Sequence, residues 1–245
     1  MTADIANAWD QFADDYQRKG RLGTESAHYG PDIPDERELR LLGHLEGRRV
    51  LELGCGAAQC SIAFARAGAT AIGIDASAVQ IAHARRLAEE AEVKIELRHG
   101  DMADLAFLRA DSIDVAFSAY AFQYVEDLNR VFRQVHRVLR VGALLVFSLP
   151  HPAYFPIDEE SGTPPRVARS YFDRSPERYS WEGVAFTAYH HTFADLYMGL
   201  ARASYRVDLI LEPEPVPGAP RSWFWHDAMD WVPRTIIVRA RKEGS

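Results

Sequence analysis

No proline occurs between residues 35 and 149, although the chain of 245 residues contains 13 prolines. Pro31 and Pro34 precede this stretch, and all the others follow from Pro150 onward. Because proline breaks helices and removes a hydrogen-bond donor from strands, such a stretch favours uninterrupted helices and buried strands. The sequence therefore predicts a regular core followed by a proline-rich region of loops that cover a pocket.

Short apolar runs alternate with helical patterns inside the proline-free stretch. Strands are predicted at 49–53, 70–75, 94–98, 113–118 and 143–149, and helices at 39–45, 58–67, 77–90 and 128–140. Outside it, helices are predicted at the N-terminus and at 192–203, and strands at 207–212 and 235–240. This alternation is typical of an α/β protein with a doubly wound, mainly parallel sheet.

A glycine loop joins the first predicted strand to the helix that follows it. Gly54 and Gly56 allow a sharp turn and the close approach of a ligand, and the helix N-terminus offers N–H groups to an anion. Asp75 ends the second predicted strand, where a carboxylate can accept hydrogen bonds from ribose hydroxyls. Together these features predict a cofactor that contains adenosine.

Two adenosine cofactors compete for this loop. A dinucleotide loop has a third glycine for close helix packing, but Gln59 stands at that position. Glu52 places a carboxylate beside the loop, which suits the ammonium group of S-adenosylmethionine and has no partner in NAD. The sequence favours S-adenosylmethionine, and an NAD(P)-dependent oxidoreductase and a non-catalytic S-adenosylmethionine-binding module remain as alternatives.

Four motifs resemble those of class I S-adenosylmethionine-dependent methyltransferases, in the branch that acts on small molecules. They are V-L-E-L-G-C-G (50–56), G-I-D-A-S (73–77), G-D-M (100–102) and R-V-L-R-V-G (137–142), and the one departure is Ala58 in place of a third glycine. The resemblance implies a Rossmann-like seven-stranded sheet whose strand 7 is antiparallel, with S-adenosylmethionine as cofactor. It assigns cofactor binding to Glu52, Gly54, Cys55, Gly56, Asp75, Ala76, Gln80, Asp101, Met102 and Ser118.

The whole chain, 1–245, is expected to form a single methyltransferase domain. Residues 1–35 would form an N-terminal cap of a helix and a loop, and 36–149 the cofactor-binding core. Residues 150–190 would form a substrate lid inserted after strand 5, and 191–245 the C-terminal helix and strands.

Residues on the acceptor side are predicted from their position at the carboxyl edge of the sheet, where ligands bind in such folds. His151 and His190 are candidate bases because an imidazole accepts protons near neutral pH, although loop histidines often serve only as structural hydrogen-bonding groups. Substrate-binding candidates are Tyr29, Tyr120, Gln123, Tyr124, Tyr154 and His191. The aromatic cluster from Trp223 to Trp231 could line this site or form the interface of a homodimer.

Composition excludes several partners. The net charge of −7 and the lack of a long basic run disfavour nucleic acid, as does the sequence 118–122, which lacks the motif of exocyclic-amine methylases. No apolar run approaches the roughly 18 residues of a membrane span. No metal site is expected, and two cysteines without a disulfide pattern predict a cytoplasmic protein. We therefore expect methyl transfer to an O or N atom of a small, largely apolar or aromatic molecule.

Overall fold

The computed structural model describes residues 3–244, and its centre is a seven-stranded sheet in the order β10-β11-β5-β4-β1-β2-β3. The sheet strands are β1 (Arg49–Leu53), β2 (Thr70–Asp75), β3 (Ile95–His99), β4 (Ile113–Ala119), β5 (Leu139–Pro150), β10 (Tyr205–Leu211) and β11 (Thr235–Lys242). The helices are α1 (Ala3–Gly20), α2 (Glu36–Leu39), α3 (Gln59–Arg66), α4 (Ala78–Glu90), α5 (Leu128–Val138) and α6 (Phe193–Arg202).

The strand directions confirm the predicted Rossmann-like topology. β1 to β5 pair in parallel, whereas β11, the seventh strand of the sheet, runs antiparallel to both of its neighbours, β5 and β10. The central strands are apolar on both sides because helices cover both faces, and side chains such as Leu51 and Phe117 are fully buried.

The prediction of a helix over 39–45 was wrong. The helix instead spans Glu36–Leu39 and ends at Arg40, which adopts a left-handed conformation with φ of 51°. The Glu36 carboxylate then accepts hydrogen bonds from the N–H groups of Leu41 and Leu42 and from the Tyr29 hydroxyl. The apolar pattern of this segment comes from Leu39, Leu41, Leu42 and Leu45, which pack in one cluster with residues of the sheet. The bond between Glu36 and Tyr29 fixes the loop that precedes α2.

The boundary between α5 and β5 also differs from the prediction, which placed the helix end at Arg140. The helix ends at Val138, and Leu139 already pairs with Ile113 in the sheet. Leu139 is fully buried in an extended conformation, so burial in the sheet outweighs the helical pattern of the sequence.

The region after β5, which the sequence left without regular structure, contains two antiparallel hairpins. They pair β6 (Ile157–Asp158) with β7 (Arg166–Val167), and β8 (Glu177–Trp181) with β9 (Val184–Ala188). Neither hairpin belongs to the main sheet. Polar and apolar residues therefore alternate only weakly in their sequences. Among residues 3–244, no helix combines the length and apolar character needed to cross a membrane.

An aromatic cluster joins α1 to the β8–β9 hairpin. The Trp9 ring lies 5.3 Å from that of Phe186 and 5.6 Å from that of Tyr124, and the Phe12 ring lies 5.6 Å from that of Trp181. The edge-to-face arrangement of the Trp9 contacts is the one that aromatic rings prefer. The cluster holds α1 and the hairpin together above the carboxyl edge of the sheet.

Candidate functional site

Two cavities lie at the carboxyl edge of the parallel strands. The first, here called the inner cavity, follows the loop after β1 and the end of β2. It is lined by Ala6, Trp9, Tyr16, Leu22, His28, Glu52, Gly54, Cys55, Gly56, Ala57, Gln59, Asp75, Ala76, Ser77, Gln80, Met102, Ala119, Tyr120, Ala121 and Tyr124.

The glycine loop forms one wall of the inner cavity. Gly54 has φ of 68°, and a Cβ atom placed on it would collide with the Cβ atom of Ala121. The Asp75 carboxylate accepts hydrogen bonds from the N–H groups of Gly56 and Ser77, both at 2.8 Å. These contacts fix the end of β2 against the loop, and they leave a bare backbone surface where a ligand can approach closely.

Ala58 adopts the conformation that glycine would adopt more easily. Its φ is 61°, in the left-handed region, immediately before α3. A non-glycine residue costs roughly 1–2 kcal/mol in this conformation. The replacement of glycine by alanine therefore preserves the shape of the loop at some expense of stability.

Glu52 is a buried carboxyl group beside the same loop. It accepts hydrogen bonds from the N–H and the hydroxyl of Ser61, yet burial raises its pKa to about 8. Of the residues that the structure describes, no arginine or lysine lines the inner cavity, so the charged form of Glu52 has no cationic partner among them there. A ligand that carries an ammonium group would supply this partner.

Helix α1 closes the inner cavity from above. The amide of Gln17 donates a hydrogen bond to Gln80 and accepts one from Gln59. The Asp10 carboxylate accepts bonds from the Ser77 hydroxyl and the N–H of Val79, at the start of α4. The free volume is only about 80 Å³, whereas ligand sites usually hold about 300–1,000 Å³. The cavity as it stands is therefore too small for a whole cofactor, and α1 is one of the elements that narrow it.

The second cavity, here called the outer cavity, has a volume of about 690 Å³ and lies beneath the two hairpins. Its walls are largely aromatic and aliphatic, with several titratable groups. The lining includes Gln123, Tyr154, Phe155, Glu159, Arg169, Glu177, Tyr179, Trp181, His151, His190, His191, Trp223, Phe224 and Arg234.

Five residues line both cavities and so mark their junction: Tyr16, Leu22, His28, Tyr120 and Tyr124. A group in the outer cavity can reach a ligand in the inner cavity only past these side chains. Three of them carry a phenol, and burial raises the pKa of each hydroxyl, so the tyrosines remain neutral.

Tyr120 is held at the junction in a strained conformation. Its φ is 52°, an uncommon value for a bulky residue. Its hydroxyl lies 2.6 Å from that of Thr235, and Gly30 makes room for its ring, since a Cβ atom on Gly30 would lie 2.6 Å from the ring. Strain of this kind persists where the surroundings overdetermine a functional position.

His28 is the histidine of the junction. It lies between α1 and α2, and the neighbouring Tyr29 anchors this loop through Glu36. Burial lowers the pKa of His28 to about 4, and Asp35 opposes this only in part. The imidazole is therefore neutral at physiological pH, and burial makes it a weaker base than an exposed histidine.

Eight of the ten predicted cofactor residues line the inner cavity: Glu52, Gly54, Cys55, Gly56, Asp75, Ala76, Gln80 and Met102. Asp101 and Ser118 are not among the lining residues, and their predicted role in cofactor binding stays a prediction. The Asp101 carboxylate accepts a bond from the N–H of Ala103, and the buried Ser118 hydroxyl donates to the carbonyl of Leu53. Both side chains brace the backbone of the loops that surround the cavity.

Five of the six predicted substrate residues line the outer cavity: Tyr120, Gln123, Tyr124, Tyr154 and His191. Tyr29 does not, because its fully buried ring packs 5.5 Å from that of Phe117 and its hydroxyl binds Glu36. The prediction placed Tyr29 in the correct loop, but the residue beside it, His28, is the one that opens onto both cavities.

The two predicted bases line the outer cavity but lie outside the junction. His151 uses both ring nitrogens: Nε2 lies 2.7 Å from Glu212, and Nδ1 accepts from the N–H of Ala153. His190 stacks on Phe155 at 3.9 Å and its Nε2 lies 2.8 Å from the carbonyl of Tyr171. Burial lowers the pKa of both histidines.

The aromatic cluster near the C-terminus divides between two environments. Trp223 and Phe224 line the outer cavity, whereas Trp231 is 59% exposed. The sequence does not separate a ligand site from an interface here, and the structure places only the first part of the cluster in the wall of the outer cavity.

Sequence reasoning missed the contribution of the first 30 residues to the inner cavity. Trp9 and Tyr16 have the spacing of one face of the predicted N-terminal helix, and that spacing does not distinguish a core contact from a cavity wall. His28 follows no motif. Only its position two residues before Gly30, whose φ of 152° creates the space for Tyr120, connects it with the site.

Comparison with known proteins identifies the centre of the chain. The model of a family described as "Methyltransferase domain" matches residues 50–142. An S-adenosylmethionine-dependent methyltransferase from Mesorhizobium loti has a similar structure, with a TM-score of 0.70 and 27% identity, over 83% of this chain and 94% of that one.

Two sequence relatives extend this picture. An uncharacterized protein from Haemophilus influenzae is 26% identical, over 95% of each chain. A ubiquinone biosynthesis O-methyltransferase from Bordetella avium is 36% identical over 108 residues, which are 44% of this chain and 45% of the relative. The chain thus spans about half the length of that relative. The matches and the fold agree on S-adenosylmethionine as the cofactor, and the bare glycine loop and the unpaired Glu52 of the inner cavity fit it.

Replacement of Gly54 by alanine tests whether the inner cavity holds the cofactor. We expect Gly54→Ala to bind S-adenosylhomocysteine at least 10-fold more weakly in calorimetry, because the added Cβ collides with Ala121. Gly43→Ala is the matched control: Gly43 has a similar φ of 71°, and nothing lies within 4 Å of an added Cβ. Both variants carry about 1–2 kcal/mol of backbone strain. Equal affinities of the two variants would count against this site.

Proposed function

We propose that this chain, which is a class I S-adenosylmethionine-dependent methyltransferase, methylates an O or N atom of a small, largely apolar or aromatic molecule and releases S-adenosyl-L-homocysteine. The observation that carries the proposal is the meeting of the two cavities. The inner cavity has the glycine loop and carboxylates that suit the cofactor, and the outer cavity is large, aromatic and adjacent to it.

The chain's own residues would bind the cofactor as follows. Glu52 faces its ammonium group, the backbone at Gly54 and Gly56 lies against its methionine part, and Asp75 accepts hydrogen bonds from the ribose. Met102 packs against the adenine. When bound, S-adenosylmethionine supplies an electrophilic methyl group, so the protein must mainly align the acceptor, and proximity can contribute ~7–11 kcal/mol.

The acceptor's character follows from the walls of the outer cavity. Trp181, Tyr179, Phe155 and Trp223 present apolar faces, which favour an aromatic or aliphatic body. The Bordetella relative is named for O-methyl transfer, so oxygen is the preferred acceptor atom. The net charge of −7 supports a small molecule rather than nucleic acid.

His28 is the proton acceptor that the geometry favours. A hydroxyl that is protonated at neutral pH must lose its proton during transfer, and a positioned base contributes about 10²–10⁴-fold to such a step. His28 lies at the junction, where the reacting atom must be, and its position rather than its pKa supports this role. His151 and His190 remain alternatives that would require a rearrangement of the outer cavity.

A cytoplasmic location is part of the proposal. Cys55 and Cys60 are both free and buried, and thiols stay reduced in that compartment. The homodimer predicted from the exposed aromatic residues stays a prediction, with Trp231 as the most exposed tryptophan of the cluster.

Methyl transfer can be measured directly. With S-adenosylmethionine labelled on its methyl group, we expect the label to pass to phenols, aromatic amines or apolar alcohols in a panel, with one S-adenosylhomocysteine formed per product. A panel of sugars and nucleic acids serves as the control. Transfer to the control panel alone would refute the proposed acceptor class.

The role of His28 is tested with three variants. His28→Ala should lower kcat for a phenolic acceptor by about 100-fold, the range for loss of a general base, while affinity for S-adenosylhomocysteine changes less than twofold. His44→Ala is the control, since His44 is 81% exposed in its side chain and lies in neither cavity. Full activity of His28→Ala, together with a large loss in His151→Ala, would identify His151 as the base.

A further inference from the structure

Three polar atoms in the wall of the outer cavity are buried without a hydrogen-bond partner among residues 3–244. They are Nε of Arg234, the hydroxyl of Tyr154 and Oε1 of Gln123. Native structures leave few such groups, because an unpaired buried donor or acceptor destabilises the fold. Their presence in one cavity indicates that a polar group of a ligand forms the missing hydrogen bonds.

One edge of the Arg234 guanidinium group forms an ion pair, and the other edge carries an N–H group without a hydrogen-bond partner among the described residues. One Nη forms an ion pair with Glu159, next to the β6–β7 hairpin, and the guanidinium lies 5.0 Å from the centre of the Tyr154 ring. Its side chain is only 17% exposed. The edge that carries the unpartnered Nε is therefore a buried donor, and Tyr154 interacts electrostatically with both Arg234 and Glu159.

The acidic residues of the same cavity do not form a site for a cation. Asp158 and Glu160 are exposed to solvent at the rim. Glu177 is paired with Arg169 at 2.5 Å, and Glu159 is paired with Arg234. Of the three unpartnered groups, Arg234 Nε can only donate, the Tyr154 hydroxyl can donate or accept, and Gln123 Oε1 accepts, so the guanidinium edge is the group that an anion would fit.

We propose that Arg234 and Tyr154 bind a carboxylate of the acceptor, which is therefore a small apolar or aromatic acid. A carboxylate accepts two parallel hydrogen bonds from an arginine, which a neutral carbonyl cannot match. Glu159 holds the guanidinium in the absence of this ligand, so the carboxylate and Glu159 compete for Arg234. This assignment rests on the proposed acceptor role of the outer cavity.

The bound carboxylate is not the group that receives the methyl. Arg234 and Tyr154 line the outer cavity alone, whereas the reacting atom must lie at the junction beside His28 and Tyr120. The acceptor therefore carries two polar groups: an acid that is recognised and a separate hydroxyl or amine that is methylated.

Binding of 4-hydroxycinnamate and of its neutral amide, measured by calorimetry on protein saturated with S-adenosylhomocysteine, tests this inference. The native protein should bind the carboxylate at least 10-fold more tightly than the amide. Arg234→Gln should abolish this preference, and Arg169→Gln, the other arginine of the cavity, should keep it. Glu159→Gln should bind the carboxylate several-fold more tightly than the native protein and leave the amide unchanged.

Each of these measurements either supports or overturns the carboxylate subsite. Equal affinity of the native protein for the two probes, or no binding of the carboxylate, overturns the subsite, as does a preference that survives in Arg234→Gln. If Arg234→Gln fails to bind S-adenosylhomocysteine, the result for Glu159→Gln decides alone. Because the assay needs no turnover, a preference that depends on Arg234 would stand even if methyl transfer were not observed.

Discussion

The packing of Trp9 and Phe12 against the β8–β9 hairpin is the contact on which the site depends. The glycine loop forms one wall of the inner cavity and α1 another, while the hairpin lines the outer cavity. The rings that join them lie within 5.3 to 5.6 Å of each other. Each such pair contributes about 0.5–1.5 kcal/mol beyond the area it buries, so the cap is held by several moderate contacts.

This arrangement explains how one cap serves two ligands. α1 is fixed to the cofactor side through polar contacts of Gln17 and Asp10, and to the acceptor side through aromatic contacts of Trp9. The polar contacts can exchange with water when α1 moves, because such hydrogen bonds have only a modest net value. Through Tyr16, the same helix also lines both cavities.

The junction between the cavities is the most constrained part of the site. Tyr120 keeps a left-handed backbone conformation that Gly30 and Thr235 impose on it. His28 lies in a loop that Glu36 holds through the Tyr29 hydroxyl, while the same carboxylate binds the N–H groups of Leu41 and Leu42 after α2. Neither position is set by the strand-turn-helix unit that binds the cofactor. A shared fold can therefore bind the same cofactor and still present different groups to the acceptor.

The sequence predicted the sheet and most of the cofactor side because those features are local. Strand and helix periodicity, and the spacing from Glu52 to Asp75, are readable within single βαβ units. The Leu39–Leu45 segment was predicted wrongly, since burial against the sheet gives a nonhelical segment the same apolar pattern as a helix. His28, Arg234 and Glu159 were missed because their roles arise from contacts between distant segments, such as the ion pair of Arg234 and Glu159. The two hairpins are short and outside the main sheet, so no pattern marked them.

A crystal structure of the protein with S-adenosylhomocysteine tests the central claim most directly, namely that the cavities meet where the methyl group is transferred. The account predicts the ligand in the inner cavity, with its sulfur directed at the junction formed by His28, Tyr120 and Tyr124, and α1 displaced outward or repacked over the adenosine. A ligand whose sulfur faces away from the outer cavity, or one bound outside the glycine loop, would contradict it.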